Sequence, residues 1–194
     1  MTTAFAARHT MDSPEWYTPT PLVEAARTVM GGIDLDPASH EEANERIQAA
    51  KFYDEIMDGL TLPWAGRVFL NPPGGKDAMG KSLVPAFWEM LVREYFDRHV
   101  TQAIWIGYSL EQLQTLQQCG TSHTPHDFPI CFTAKRIAFV ENEAKKAARI
   151  AKSIAEGKTP SKGASPSHSN YITYMGPNVR EFAKAFGEFG KVRI

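Results

Sequence analysis

An asparagine followed by two prolines stands at the end of a short apolar segment. Gly66–Leu70 has the composition of a buried strand, and Asn71, Pro72 and Pro73 follow it directly. The Asn71 side chain and the backbone beside it offer carbonyl acceptors, while the prolines present no competing N–H. Such a loop can hold the hydrogens of an exocyclic amine so that the nitrogen lone pair points at an electrophile. The pattern predicts an amine-positioning site with Asn71, Pro72 and Pro73 as its catalytic residues.

A second polar motif follows another predicted strand, at residues 33–36. A carboxylate at a strand end can hold the ribose hydroxyls or the amino-acid end of a nucleoside cofactor, and the turn after it can approach that ligand closely. The alternative is a pair of surface acids followed by a helix cap, with Ser39 as N-cap of a helix over residues 39–51. The candidate cofactor-binding residues here are Asp34, Asp36, Pro37, Ala38 and Ser39.

Two aromatics and a hydroxyl precede the first predicted helix, which runs from about residue 21 to residue 30 and ends at Gly31-Gly32. A carboxylate is favoured at a helix N-terminus, so this segment is a further candidate for ligand binding. Its alternative role is that of a packing anchor. The segment consists of Trp16, Tyr17, Thr18 and Pro19.

Strands and helices alternate along most of the chain. Further helices are predicted over residues 82–96, 111–118 and 179–186, and further strands over 102–107, 130–140 and 169–175, of which 130–140 is a strand or a hairpin arm. Such alternation predicts an α/β fold with a single open mixed sheet and flanking helices, whose ligands bind beyond the carboxyl ends of the strands. Both Asp36 and Asn71 stand at such ends.

The length of 194 residues and the hydrophobic content of 43% fit one domain. We expect a flexible tail at residues 1–12 and a single domain at 13–194, with a basic, partly mobile insertion at about 143–166. Residues 143–163 hold six basic and two acidic side chains. The alternatives for this stretch are a solvated helix with a linker, or contacts to a DNA backbone. The candidate DNA-binding residues are Lys145, Lys146, Arg149 and Lys152.

Bulk properties exclude several other classes of protein. The formal net charge of -1 means that any nucleic-acid contact must come from a local patch. Cys119 and Cys131 are too few for a disulfide framework, and neither stands where a cytosine-C5 nucleophile would be needed. No signal peptide, membrane span or metal-binding spacing is found, so we expect a cytoplasmic protein without a metal.

In combination, these motifs resemble the phage-type DNA N6-adenine methyltransferases related to Dam. The resemblance is carried by Trp-Tyr-Thr-Pro at 16–19, Asp-Leu-Asp-Pro-Ala-Ser at 34–39, Asp-Gly-Leu at 58–60 and Asn-Pro-Pro at 71–73, and continues more weakly toward residue 170. It implies a Rossmann-like fold that binds S-adenosylmethionine and methylates a flipped adenine, in the host cytoplasm if the protein is phage-encoded. It also implies that Asn71, Pro72 and Pro73 are catalytic and that Asp58 and the strand-end residues bind the cofactor.

The chain departs from that family at Gly74, where a Tyr or Phe that stacks on the base is usual. Aromatics that could replace it are Tyr17, Trp64, Tyr108 and Phe132. Two alternatives to DNA adenine methylation stay open at this stage. One is an amino-methyltransferase acting on RNA, on cytosine N4 or on a protein amide, and the other is a catalytically silent binding protein of the same fold.

Overall fold

The computed structural model describes residues 16–159 and 169–194, apart from the side chains of residues 143–145. A mixed sheet of seven strands lies at its centre with helices on its flanks, which confirms the α/β architecture. The tail predicted at residues 1–12 and residues 160–166 of the insertion lie outside the described residues.

The strands and helices are numbered in chain order. The strands are β1 (Trp16–Tyr17), β2 (Leu35–Asp36), β3 (Lys51–Phe52), β4 (Gly66–Leu70), β5 (Val100–Gly107), β6 (Ile130–Thr133), β7 (Val140–Glu141), β8 (Tyr171–Met175) and β9 (Gly190–Arg193). The helices are α1 (Thr20–Met30), α2 (Glu41–Ile47), α3 (Leu83–Phe96), α4 (Leu110–Gln118), α5 (Glu143–Ala155) and α6 (Val179–Gly187).

The order of strands in the sheet is β3-β2-β4-β5-β8-β6-β9. Strands β3, β2, β4 and β5 are parallel, whereas β8 runs antiparallel to β5 and β6, and β9 antiparallel to β6. Leu35 pairs with Val68, and Leu70 pairs with Trp105, so β2, β4 and β5 end on one side. We call the loops that follow these three strands the carboxyl edge.

The central strands of the sheet are buried on both faces. Along β5, Trp105 faces a cluster built with α3, while Ile104 and Ile106 face a cluster built with α1 and α6. Strands covered on both faces carry continuous apolar runs, and every residue from Ala103 to Gly107 is buried. This packing makes β4 and β5 a rigid base for the loops at their ends.

The helix predicted over residues 39–51 is shorter than expected. Helix α2 begins after His40, and the prediction of Ser39 as its N-cap is wrong. The backbone N–H of Ser39 donates instead to the carbonyl of Tyr53, at 2.9 Å, which continues the link between β2 and the chain around β3. Ser39 therefore stays outside the helix.

Two short strands form a separate antiparallel pair. The segment expected to lead directly into α1 begins as β1, which pairs with β7. The strand or hairpin arm predicted over 130–140 is thus two strands, since β6 belongs to the large sheet and β7 to this pair. Strand β9 was not predicted at all.

An ion pair joins the beginnings of β2 and β4. The Asp34 carboxylate accepts hydrogen bonds from Arg67 Nε at 2.8 Å, from Arg67 Nη2 at 2.6 Å and from the Arg67 backbone N–H at 2.8 Å. These bonds from the guanidinium hold the pKa of Asp34 below its ordinary value. Both carboxylate oxygens of Asp34, a candidate cofactor-binding residue, are therefore already bonded to Arg67.

Asp34→Ala is expected to lower the free energy of unfolding by about 1–2 kcal/mol, because a bidentate, partly exposed ion pair and a backbone hydrogen bond are lost. Since the folded-state pKa is depressed, this stabilisation is present at neutral pH and is lost as the solution is acidified through that pKa. Urea unfolding measures the change. Glu24→Ala, which breaks the exposed pair of Glu24 with Arg27, is the control and should cost under about 0.5 kcal/mol. Equal effects of the two variants would contradict the assignment.

Candidate active site

A buried carboxylate lies where β2 reaches the carboxyl edge. Asp36 is 1% exposed, and its Oδ1 accepts a hydrogen bond from the backbone N–H of Ala38 at 3.1 Å. Burial raises the pKa of Asp36 to about 7. The Ser39 hydroxyl lowers this pKa, but less than burial raises it. Its position does not meet the geometric criteria of a hydrogen bond. The site thus holds an acceptor that is poorly solvated and only partly satisfied.

The Asp58-Gly59 turn packs directly against this strand end. A Cβ at Gly59 would overlap the carbonyl oxygen of Pro37, so only glycine permits this approach. Trp64 fixes this turn, because its indole N–H donates to the Gly59 carbonyl at 2.7 Å. Asp58 has a positive φ of 52° and accepts the Leu60 N–H at 3.2 Å. The structure therefore places Gly59, the residue after Asp58, against Pro37.

The Trp-Tyr-Thr-Pro segment reaches the same region from the other direction. The ring of Tyr17 lies 5.6 Å from that of His40, immediately after Ser39. Asn142, which was not singled out in the sequence, donates to the Tyr17 hydroxyl at 2.6 Å and to Glu42 at 2.7 Å. The Asn142 carboxamide, directly after β7, thus links β1 to α2 close to Ser39.

The other members of the segment have different surroundings. Trp16 packs against the core cluster on the α1 side, and Pro19 is the residue that caps α1. Thr18 is 2% exposed, and its hydroxyl has no hydrogen-bond partner among the described residues. The Ser39 hydroxyl is also buried, and within the described part of the chain it too lacks a partner.

Unsatisfied hydroxyls are rare in protein interiors and call for an explanation. Thr18 and Ser39 belong to the two segments that the Tyr17–His40 contact joins, and the first turn of α1 carries no acidic side chain. By the chemistry of their side chains, a carboxyl group at a strand end and two hydroxyl groups could bond the hydroxyl and amino groups of a nucleoside cofactor such as S-adenosylmethionine.

The Asn-Pro-Pro loop leaves β4 between the ends of β2 and β5. Asn71 is half-buried and Pro72 is buried, directly after Leu70, which pairs with Trp105. Among the described residues, no hydrogen bond occupies the Asn71 carboxamide. The two prolines restrict the backbone, so the loop presents its acceptors on a stiff support. Asp36 is thus the last residue of β2, and Asn71 follows β4, the parallel neighbour of β2.

The basic residues of α5 have unequal surroundings. Arg149 donates to both oxygens of Glu141, at 2.9 Å each, and therefore fastens α5 to β7. Lys146 contributes to the lowered pKa of Glu141. The side chain of Lys145 lies outside the described residues, whereas Lys152 is exposed. Of the candidate DNA-binding side chains that the structure describes, Lys152 is the most exposed to solvent.

Residues 16–159 and 169–194 hold neither a metal-type cluster of side chains nor a helix able to span a membrane. In these ranges no group of three or more His, Cys, Asp or Glu side chains is placed to hold a metal ion. No helix in the described part of the chain is long and apolar enough to span a bilayer. Comparison of the chain with family models, with curated proteins and with solved structures gave no match.

Asp36→Asn should change how stability depends on pH. Because the folded-state pKa of Asp36 is raised, its stabilising contribution is complete below its ordinary pKa of 3.8 and is lost as pH rises toward 7. The free energy of unfolding of the variant, relative to the wild type, should therefore rise between pH 4 and pH 8 by at least about 1 kcal/mol. Urea unfolding at several pH values measures it, and parallel pH profiles for the two proteins would contradict a buried carboxyl.

Proposed function

We propose that this chain is an S-adenosylmethionine-dependent methyltransferase that modifies N6 of adenine in DNA. The observation that supports the proposal is that Asp36 and Asn71 stand at the ends of two neighbouring parallel strands, β2 and β4, on the carboxyl edge. In the proposal, the loop of Asn71 holds the amine, and the residues around Asp36 hold the cofactor. The restriction to adenine in DNA rests on the sequence resemblance to the Dam-related family.

The cofactor supplies an electrophilic methyl group on a positively charged sulfur. Within the proposal, Asp36 holds donor groups of the nucleoside, and the hydroxyls of Thr18 and Ser39 bond its remaining polar groups. The N-terminus of α1 favours the amino-acid carboxylate. Asp58 lies on the turn that packs against Pro37 and closes the same side of the site.

An adenine amine is a poor nucleophile because its lone pair is delocalised into the ring. The Asn71 carbonyl and the backbone carbonyl of Pro72 accept its two hydrogens and so direct the nitrogen toward the methyl donor. This positioning needs neither a metal ion nor a strong base. In duplex DNA the target base has to leave the stack to reach the loop.

The decisive assay is transfer of labelled methyl from S-adenosylmethionine to unmethylated DNA, followed by nucleoside analysis. N6-methyladenine as the product supports the proposal. If the product is N4-methylcytosine, or if only RNA or protein is methylated, the chain methylates an amine but its substrate is not adenine in DNA. No product on any of these substrates, with cofactor binding intact, would identify a binding protein.

Asn71→Ala is expected to lower kcat about 100-fold or more, since the amine loses its main positioning acceptor. Asn71→Asp keeps an acceptor oxygen in place and should retain more activity than the alanine variant. The affinity for S-adenosylmethionine, measured by calorimetry, should stay within about threefold of wild type in both variants. Activity of Asn71→Ala close to that of the wild type would remove Asn71 from the reaction.

Lys152→Ala tests the DNA surface on α5. If Lys152 contacts a phosphate, its removal should weaken DNA binding and reduce the slope of log affinity against log salt by about 1. Lys184→Ala removes another exposed lysine, from α6, and serves as the matched control. Fluorescence anisotropy with a labelled duplex at several salt concentrations measures both. Identical slopes for the two variants would exclude this contact.

A further inference from the structure

A short hairpin, residues 76–82, separates the Asn-Pro-Pro loop from helix α3. Lys76 and Ser82 pair as an antiparallel bridge, and the backbone N–H of Leu83 donates to the carbonyl of Gly75 at 3.1 Å. Leu83 is the first residue of α3 and is buried. The base of the hairpin is therefore fixed against a packed helix, a few residues after Asn71.

Asp77 holds the turn of this hairpin in one conformation. Its Oδ1 accepts the backbone N–H of Met79 at 2.9 Å and that of Lys81 at 2.8 Å. Its backbone carbonyl accepts the N–H of Gly80 at 3.0 Å, and its own N–H donates to the Lys81 carbonyl at 2.8 Å. Gly80 has a φ of 79°, which residues with a side chain rarely adopt. The tip is thus ordered by its own hydrogen bonds.

The ordered tip presents one large apolar side chain between two cationic ones. Met79 is 69% exposed, and Lys76 and Lys81 on either side of it are exposed as well. Among the residues that the structure describes, no hydrogen bond or ion pair engages either ammonium group. A single exposed apolar side chain is ordinary on a protein surface. Here, however, it is held on a fixed turn next to the Asn-Pro-Pro loop, between two groups that attract phosphate.

A second exposed apolar segment lies on the same side of the sheet, but its charge is opposite. Ile56 is 93% exposed and follows β3, which is parallel to β2. Its neighbours in the chain are the acidic residues Asp54 and Glu55, which would repel a phosphate backbone. Of these two apolar segments, the hairpin is therefore the one whose charge suits DNA.

We propose that the hairpin enters the duplex beside the target adenine, with Met79 in the space that the extruded base leaves and Lys76 and Lys81 on the adjacent phosphates. This inference rests on the proposed function, in which the base has to leave the stack to reach Asn71. Extrusion leaves a gap between apolar base faces, and proteins that distort DNA insert apolar side chains such as Met between bases. Methionine is unbranched and flexible, so it adapts to an irregular gap.

Three variants of the full-length protein test the insertion: Met79→Ser, Met79→Leu and Ile56→Ser. Met79→Ser removes the apolar side chain and should lower kcat/KM for duplex DNA about ten- to hundredfold, with unchanged affinity for S-adenosylmethionine. Met79→Leu keeps the apolar volume and should stay within about threefold of wild type. Ile56→Ser, the matched control, removes an exposed apolar side chain from the acidic segment and should stay within about twofold.

A second substrate separates insertion from a purely structural role. Once the methylated position is mapped, the thymine opposite the target adenine is replaced by an abasic site, so that the adenine leaves the stack more readily. The defect of Met79→Ser should shrink to under about threefold on this duplex. An equal defect on both duplexes would overturn the insertion, as would wild-type kcat/KM of Met79→Ser on fully paired DNA.

The two lysines are tested by the salt dependence of DNA binding. Lys76→Ala combined with Lys81→Ala should reduce the slope of log affinity against log salt by about 2, if each lysine contacts one phosphate. Fluorescence anisotropy with a labelled duplex measures the slope, and Lys184→Ala is again the control. A slope equal to that of the control would overturn the placement of the hairpin on DNA.

The outcomes distinguish a failure of this inference from a failure of the proposed function. A wild-type protein that methylates only RNA or protein, or nothing, would overturn both. A wild-type dimer that Met79→Ser abolishes while methylation stays unchanged would overturn the insertion alone and assign Met79 to a contact between two copies. If Met79→Ser does not fold, as judged by circular dichroism and urea unfolding, Met79→Gln takes its place with the same expected results, because it keeps the chain length and replaces the apolar end by an amide.

Discussion

The parallel register of β2, β4 and β5 is the constraint on which the site depends. Because Leu35 pairs with Val68 and Leu70 pairs with Trp105, the residues after the three strands reach one edge of the sheet. The strands are fully packed on both faces, so the positions of these ends are fixed by the core and not by the loops themselves. A change of register in any one strand would separate the Asn71 loop from Asp36 and the turn that follows it.

Three buried polar side chains near this edge lower the stability of the folded protein. A buried carboxyl with a raised pKa at Asp36, and buried hydroxyls of Thr18 and Ser39 without partners, each disfavour the folded state. By contrast, Asp34 is fully engaged by Arg67 and stabilises the start of the same strand. Two carboxyl groups two residues apart thus have opposite effects on the stability of the fold at neutral pH.

Sequence predicted the long elements well and the short ones poorly. Helix α3 and strand β4 have strong periodicity and clear ends, whereas β1 is two residues long and exists because β7 pairs with it from far along the chain. The position of Asn71 at the end of a strand could be predicted from the apolar segment that precedes it. The clamp by Asn142 did not, because it joins residues 125 positions apart, and neither did the engagement of Asp34, which depends on Arg67 in another strand.

The most direct test of the account is the backbone amide NMR spectrum of the labelled protein titrated with S-adenosylhomocysteine. If the carboxyl edge binds the cofactor, saturable shift changes are expected at the non-proline residues of 17–19, 36–39, 58–60 and 71–75. Binding that shifts the opposite edge of the sheet instead, at residues 95–101 where β5 begins, would contradict it, as would no saturable shift at millimolar ligand.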